Sequence, residues 1–247
     1  MLGRLKIGLT VGLMLGLGML TACSSVPHSE VVEVDSDPRD PFENFNRKSH
    51  AFNKALDETL LVPAVGVYEN VTPDVFEKGV SNFFSNLSDV GNFLNHGLQL
   101  KPKQAGKDLG RLVTNTTLGL GGIIDVASNL GIYQEPEDFG QTLGYWGVNP
   151  GPYIVVPFLG PSTLRDTGAM LIDAGSNPVN RYDPLDHQFV ILAIQVVDLR
   201  HQLGDLESLI NGDAYIFMRE AYLQRREHLI RDGVPHDNDD FDDFDDF

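Results

Sequence analysis

The sequence predicts a mostly helical protein, on three observations. Apolar residues recur every three to four positions through most of the chain beyond residue 40. The runs open on cap-and-proline signals such as "RDPFEN" and "VTPD". Breaking residues are concentrated in one central stretch, which leaves the flanks free for helices.

In chain order, Arg4 and Lys6 form a short basic end, and residues 7–20 are apolar or glycine apart from Thr10. A spanning helix needs about 20 apolar residues, so residues 1–22 read as a secretory signal. Leu20-Thr21-Ala22-Cys23 resembles the bacterial lipobox. That resemblance implies cleavage between Ala22 and Cys23, a thioether-linked diacylglycerol on Cys23 and an acylated new N-terminus. The other reading is an ordinary signal followed by an incidental cysteine. Cys23 is the sole cysteine, and a thiol consumed by lipid explains why an exported chain leaves it unpaired. The second mature residue is Ser24, not the aspartate that resembles an inner-membrane retention signal. The anchor is therefore expected in the outer membrane, facing the periplasm. Residues 23–39 are read as a lipidated tether, polar and without period.

Structure is expected from residue 40. Asp40 as N-cap, Pro41 in the first turn and Glu43 closing a capping box predict a helix over 40–59. Thr72 as cap and Pro73 as first residue predict a second, with Val75, Phe76, Phe83, Phe84, Leu94 and Leu98 in its apolar stripe. A third runs through 101–119, broken by Gly119, Gly121 and Gly122 before a short helix at 123–130. In "GQTLGYWGVNPGPYIVVPFLG" the density of glycine and proline predicts no helix, but a mobile extended hairpin or irregular loop. Helices follow at 161–176, 183–210 and 213–233. The tail "DNDDFDDFDDF" holds seven aspartates, and residues 234–247 are expected to be disordered. The phenylalanine-rich stripes suit either a core or a lipid-facing surface; periodicity does not separate the two.

Charge narrows the function. The net charge is −17, near −19 once Arg4 and Lys6 are removed. An acidic chain lacks the lysines and arginines that bind nucleic acid or anionic headgroups. Attachment to a membrane then rests on acyl chains and apolar surface. No enzyme signature is present. "GPSTL" has Leu164 where a nucleophile elbow needs glycine. The seven histidines lack metal-ligand spacing, and residues 119–122 lack the P-loop lysine and the Rossmann spacing. No cofactor is expected.

The stretches "DPFENFNR", "FNKALD", "GGIIDVA", "FGQTLGYWGVNPGPYIVVPFLGPSTLRDTG" and "REAYLQRR" lie in order from Asp40 to Arg226, and together they resemble the MlaA/VacJ lipoprotein family. The acidic DDF tail is outside the family pattern. The resemblance implies a single ring-like helical domain over 40–233, set into the inner leaflet of the outer membrane beside a trimeric porin. It implies that the protein removes phospholipid misplaced in the outer leaflet and passes it to a periplasmic carrier protein, which maintains lipid asymmetry. The alternative is a structural lipoprotein that scaffolds a porin complex without a lipid channel. Two segments are singled out within this frame. Gly144, Tyr145, Trp146, Gly147 and Gly151 are expected to form a hairpin gate, with a flexible near arm, bulky rings at the tip and a proline-stiffened far side. Asn46, Phe52 and Asn53 are expected on a helix with one face toward a wet channel, the other reading being a plain amphipathic helix with a solvated asparagine face.

Overall fold

A computed structural model describes residues 37–181, 185–204 and 212–234. Ala22, Cys23, the tether before Asp37 and the tail from Pro235 lie outside the described residues.

The first helix, α1, spans Glu43–Leu56. Its N-terminus departs from the expected capping box. Phe42 is the N-cap and no side chain caps it. The Asp40 carboxylate turns inward instead, where it accepts from Asn46 (2.7 Å), from Arg219 (3.1 Å) and from the Tyr215 hydroxyl. Glu43 pairs with Arg47 one turn on, at 2.7 Å. The buried Arg219 and Tyr215 take the carboxylate that would otherwise cap the helix, and the Glu43 amide donates to the Asp40 backbone carbonyl instead.

The chain does not stop near residue 59. A π-helical turn, Asp57–Leu61, carries it into α2, Val62–Val71. Pro63 lacks an N–H and would break a regular ladder; at the first turn after a π-bulge it fits. Thr72 ends α2 in extended conformation, as a residue before proline prefers. Pro73 then caps α3, Asp74–Leu98, one position later than expected. α4 is Pro102–Thr117 and α5 is Val126–Asn129. The turn between them needs Gly122, whose φ is +94° and whose absent Cβ would lie 2.6 Å from Asn86 Nδ2.

The central stretch does contain a helix, α6, Phe139–Tyr145. Asp138 nucleates it by accepting from the Gln141 amide at 2.8 Å. A true hairpin follows: β1, Tyr153–Val156, pairs antiparallel with β2, Gly160–Thr163. Thr163 caps α7, Leu164–Ser176. A 3₁₀ turn at Pro178–Arg181 precedes α8, Leu185–Leu203. α9, Ala214–Ile230, begins at Asp213, which accepts from the amides of Tyr215 and Ile216.

The distribution of polarity is inverted. Among the described residues, 21 polar or charged residues are buried and only 8 hydrophobic ones. In α3, Asn86, Asp89, Asn92, Asn95 and His96 are buried, while Val75 (78% exposed) and Phe76 (67%) of the predicted stripe face outward. α8 likewise exposes Phe189, Val190, Ile194 and Leu199. No helix among the described residues is long and apolar enough to cross a membrane.

Candidate functional site

Two helices build the polar interior. Asp89, Asn92 and His96 recur at i, i+3 and i+7 on α3, and Asp108, Arg111 and Asn115 do so on α4. This spacing puts each triad on one helix face, and the faces meet. Asp108 Oδ2 lies 2.6 Å from His96 Nδ1, and Glu137 Oε2 lies 3.4 Å from Nε2. Burial by itself lowers the imidazole's pKa, but the two carboxylates overcome it and raise it to about 9. Burial pushes the Asp108 carboxyl up. Arg111 reaches Asp89 and Asp125, each at 3.3 Å, and the Ile132 carbonyl. Gln99 joins Glu137 to Thr142, whose hydroxyl donates to Asn95. The interior is thus a hydrogen-bond network, in which Asn86 Oδ1 and Gln141 Oε1 are buried without a partner among the described residues.

A second network fixes α9. Arg226 grips Asp138 (2.5 Å) and Asp166 (3.1 Å), and Tyr222 donates to Asp166. Burial alone would raise the Asp138 carboxyl; Arg226 holds it below the usual carboxylate range. Tyr153 and Val155 of the hairpin pack with Tyr215 in the hydrophobic cluster formed with α9.

The predicted site residues fall into two groups. Asn46, Phe52 and Asn53 all meet the hairpin. Asn46 is fully buried; its Nδ2 donates to the Tyr153 carbonyl (3.0 Å) and its Oδ1 accepts from the Val155 amide (2.8 Å). Asn53 repeats the motif with the Val156 carbonyl (3.0 Å) and the Phe158 amide (2.8 Å). The spacing explains the match: seven helical residues rise ~10.5 Å, and three extended residues span ~10 Å. Phe52, between the two clamps, meets Phe158 edge-on at 5.1 Å. The asparagine amides therefore hold strand backbone, and Asn46 does not form a wet face.

Gly144, Tyr145, Trp146, Gly147 and Gly151 lie before the hairpin rather than in it. Gly144 is helical, and a Cβ there would meet Ile230 Cδ1 at 2.7 Å and Arg165 Nη1 at 2.9 Å. It permits close packing and is not a flexible arm. Trp146 ends α6 half-exposed, its ring edge-on to Phe139 at 6.2 Å. Tyr145 lies under the Lys101 ammonium at 4.8 Å. Gly147 and Gly151 have positive φ, which only glycine adopts freely. The segment is stapled to the start of α7, where the Arg165 and Leu164 amides donate to the Pro150 and Pro152 carbonyls. The exposed hairpin tip is instead Phe158 and Leu159.

Sequence reasoning missed Asp40, Tyr215, Arg219 and the two polar triads. The triads carried a signal, since polar residues also recurred at helical spacing. Among the described residues no group of three or more His, Cys, Asp or Glu could hold a metal ion.

A helical fold that buries mostly polar side chains and leaves large apolar ones exposed among the described residues is unlike that of an ordinary water-soluble globule. The chain belongs to the MlaA lipoprotein family, whose model matches residues 38–229. It is 36% identical over 235 residues to the intermembrane phospholipid transport system lipoprotein MlaA of Escherichia coli, covering 92% of this chain and 91% of that one. The Haemophilus influenzae protein of the same description is 34% identical over 221 residues, covering 87% of each. An uncharacterized protein of Rickettsia typhi is 38% identical over 192 residues, covering 76% of each. A solved structure described as the structural basis for maintenance of bacterial outer membrane lipid asymmetry superposes with a TM-score of 0.66 at 35% identity, covering 77% of this chain and 98% of that one.

Proposed function

We propose that this outer-membrane lipoprotein removes phospholipid misplaced in the outer leaflet and passes it to a periplasmic carrier protein. The body sits ring-like in the inner leaflet, beside a trimeric porin, and is anchored through acylated Cys23. One observation carries the reading: the described residues bury polar groups and expose apolar ones. An apolar exterior replaces water with acyl chains at no loss. A polar interior shelters a headgroup that would otherwise cross hydrocarbon at a cost of several kcal/mol. Membership of the MlaA lipoprotein family supports the same role. Transfer needs no bond chemistry, so no catalytic residue is assigned.

The test is outer-leaflet phospholipid labelling in cells with and without the protein. Loss of the protein should raise surface phospholipid, and re-expression should reverse it. Unchanged surface phospholipid, with porin assembly disturbed, would favour the scaffold without a channel.

A further inference from the structure

A polar cavity of about 400 Å³ lies between the start of α3 and the end of α8. Its volume falls in the range of small-molecule sites, ~300–1,000 Å³. Glu77 is its informative member. The residue is largely buried, but its carboxylate opens on the cavity it lines. Its nearest cation is His201, whose Nε2 lies 3.6 Å from Oε2. That imidazole is shared, since its Nδ1 lies 2.8 Å from Glu69 Oε1. Asp198 stands behind the lining, 2% exposed, and accepts from the Ser81 hydroxyl (2.6 Å) and the Gln202 amide (2.7 Å). Tyr68 sets its ring edge-on to His201 at 5.8 Å, and its shielded hydroxyl has no partner.

A carboxylate that opens on a cavity beside a single, shared imidazole leaves room for a further cation from a ligand. That cation is an N–H donor rather than a metal, because the described carboxylates and histidines do not converge on one point. A primary ammonium offers three donors, which the Glu77 carboxylate and the Ser81 and Asn82 side-chain oxygens of the same lining are of the right type to accept. Lys78 lines the same cavity, is exposed and has no ion pair among the described residues. It is placed to receive an anionic group beside the ammonium.

We infer that this cavity receives a phospholipid headgroup carrying a primary ammonium next to its phosphate, and that Glu77 selects for it. The inference rests on the phospholipid-transport reading above. A quaternary choline has no N–H to give Glu77. An uncharged glycerol headgroup on an anionic phosphate meets repulsion from Glu69, Asp74, Glu77 and Asp198.

The experiment uses the full lipidated protein, reconstituted in vesicles of equal phosphatidylethanolamine and phosphatidylglycerol. It is recovered in mild detergent, and bound lipid is quantified by mass spectrometry. Wild type should enrich the ethanolamine lipid about tenfold, the factor one charge-assisted hydrogen bond carries. Glu77→Gln should bring the ratio back to that of the vesicle. If this variant does not accumulate, the wild-type ratio still decides the matter. Bound lipid that mirrors the vesicle overturns the headgroup site and leaves transport standing; no bound lipid overturns both. Soluble glycerophosphoethanolamine is titrated in parallel. Binding of that compound without lipid enrichment would assign the cavity to a free solute and overturn the lipid source.

Discussion

At Gly144 flexibility and close packing make opposite predictions. A side chain there collides with Ile230 and Arg165, so Gly144→Val should lower folded abundance sharply, by the 1–3 kcal/mol typical of overpacking. Gly147 has open space around it but a φ of +86°. Gly147→Ala should therefore cost only ~1 kcal/mol and leave transport intact. Abundance and surface phospholipid measured for each variant separately would test this. A folded, abundant Gly147→Ala protein with lost lipid asymmetry would restore a gating role to the segment. His96 gives the second prediction at this scale. Its folded pKa, about 9, lies above the ordinary value of 6.5. The imidazolium contribution is therefore fully present below about pH 6.5 and is lost as pH rises through about 9. The shift corresponds to at most on the order of 3 kcal/mol. The thermal midpoint of the detergent-solubilised protein should fall between pH 7 and 10, and His96→Gln should flatten that slope. An unchanged slope in the variant would assign the alkaline loss to other groups.

The hairpin and α1 act as one element because two amides join them. Asn53→Asp is the discriminating change. The carboxylate keeps an acceptor for the Phe158 amide but loses the donor to the Val156 carbonyl. Leaving that carbonyl unpaired should cost about 1–3 kcal/mol and speed amide exchange at the hairpin tip, with α9 unaffected. Equal exchange in both proteins would show that the clamp contributes nothing. The elements themselves were largely legible: α3, α4 and α9 fall within a few residues of where periodicity predicts, whereas the helix expected over 161–176 starts at Leu164 because Pro161–Thr163 pair with β1. α6 was hidden because its glycines reflect close approach to α9 and Arg165, a tertiary fact with no local signature. The run into α2 was hidden because Pro63 reads as a stop unless a π-bulge precedes it. The Asn46–Asn53 pair was visible as polar residues near an apolar stripe, but its partner is a strand edge about 100 residues away. Asp40 looked like a cap because caps are local and Arg219 is not.

At the scale of the whole molecule the question left open by periodicity, core or lipid, turns on the outward stripes. Leu171 on α7 and Val75 on α3 are each 78% exposed. On a water-facing surface, replacing either by lysine should change stability by less than ~0.5 kcal/mol and improve solubility. In a lipid-seated body the same change places an ammonium against hydrocarbon, at about 2.5–3.5 kcal/mol per site near the bilayer centre and less toward the interface. Acyl chains on Cys23 would mask the difference, since two or more chains anchor stably by themselves. The comparison therefore needs a form exported with an ordinary signal and beginning at Ser24. That form should still partition to membranes through its apolar exterior. Adding Leu171→Lys and Val75→Lys should shift it to the soluble periplasmic fraction with unchanged circular dichroism. With Cys23 restored, the double variant should remain anchored yet leave phospholipid in the outer leaflet, because a tethered body that no longer sits in the acyl layer cannot receive lipid from it. Membrane retention of the unlipidated double variant at the level of its parent would count against the lipid-facing exterior and return the outward stripes to ordinary surface.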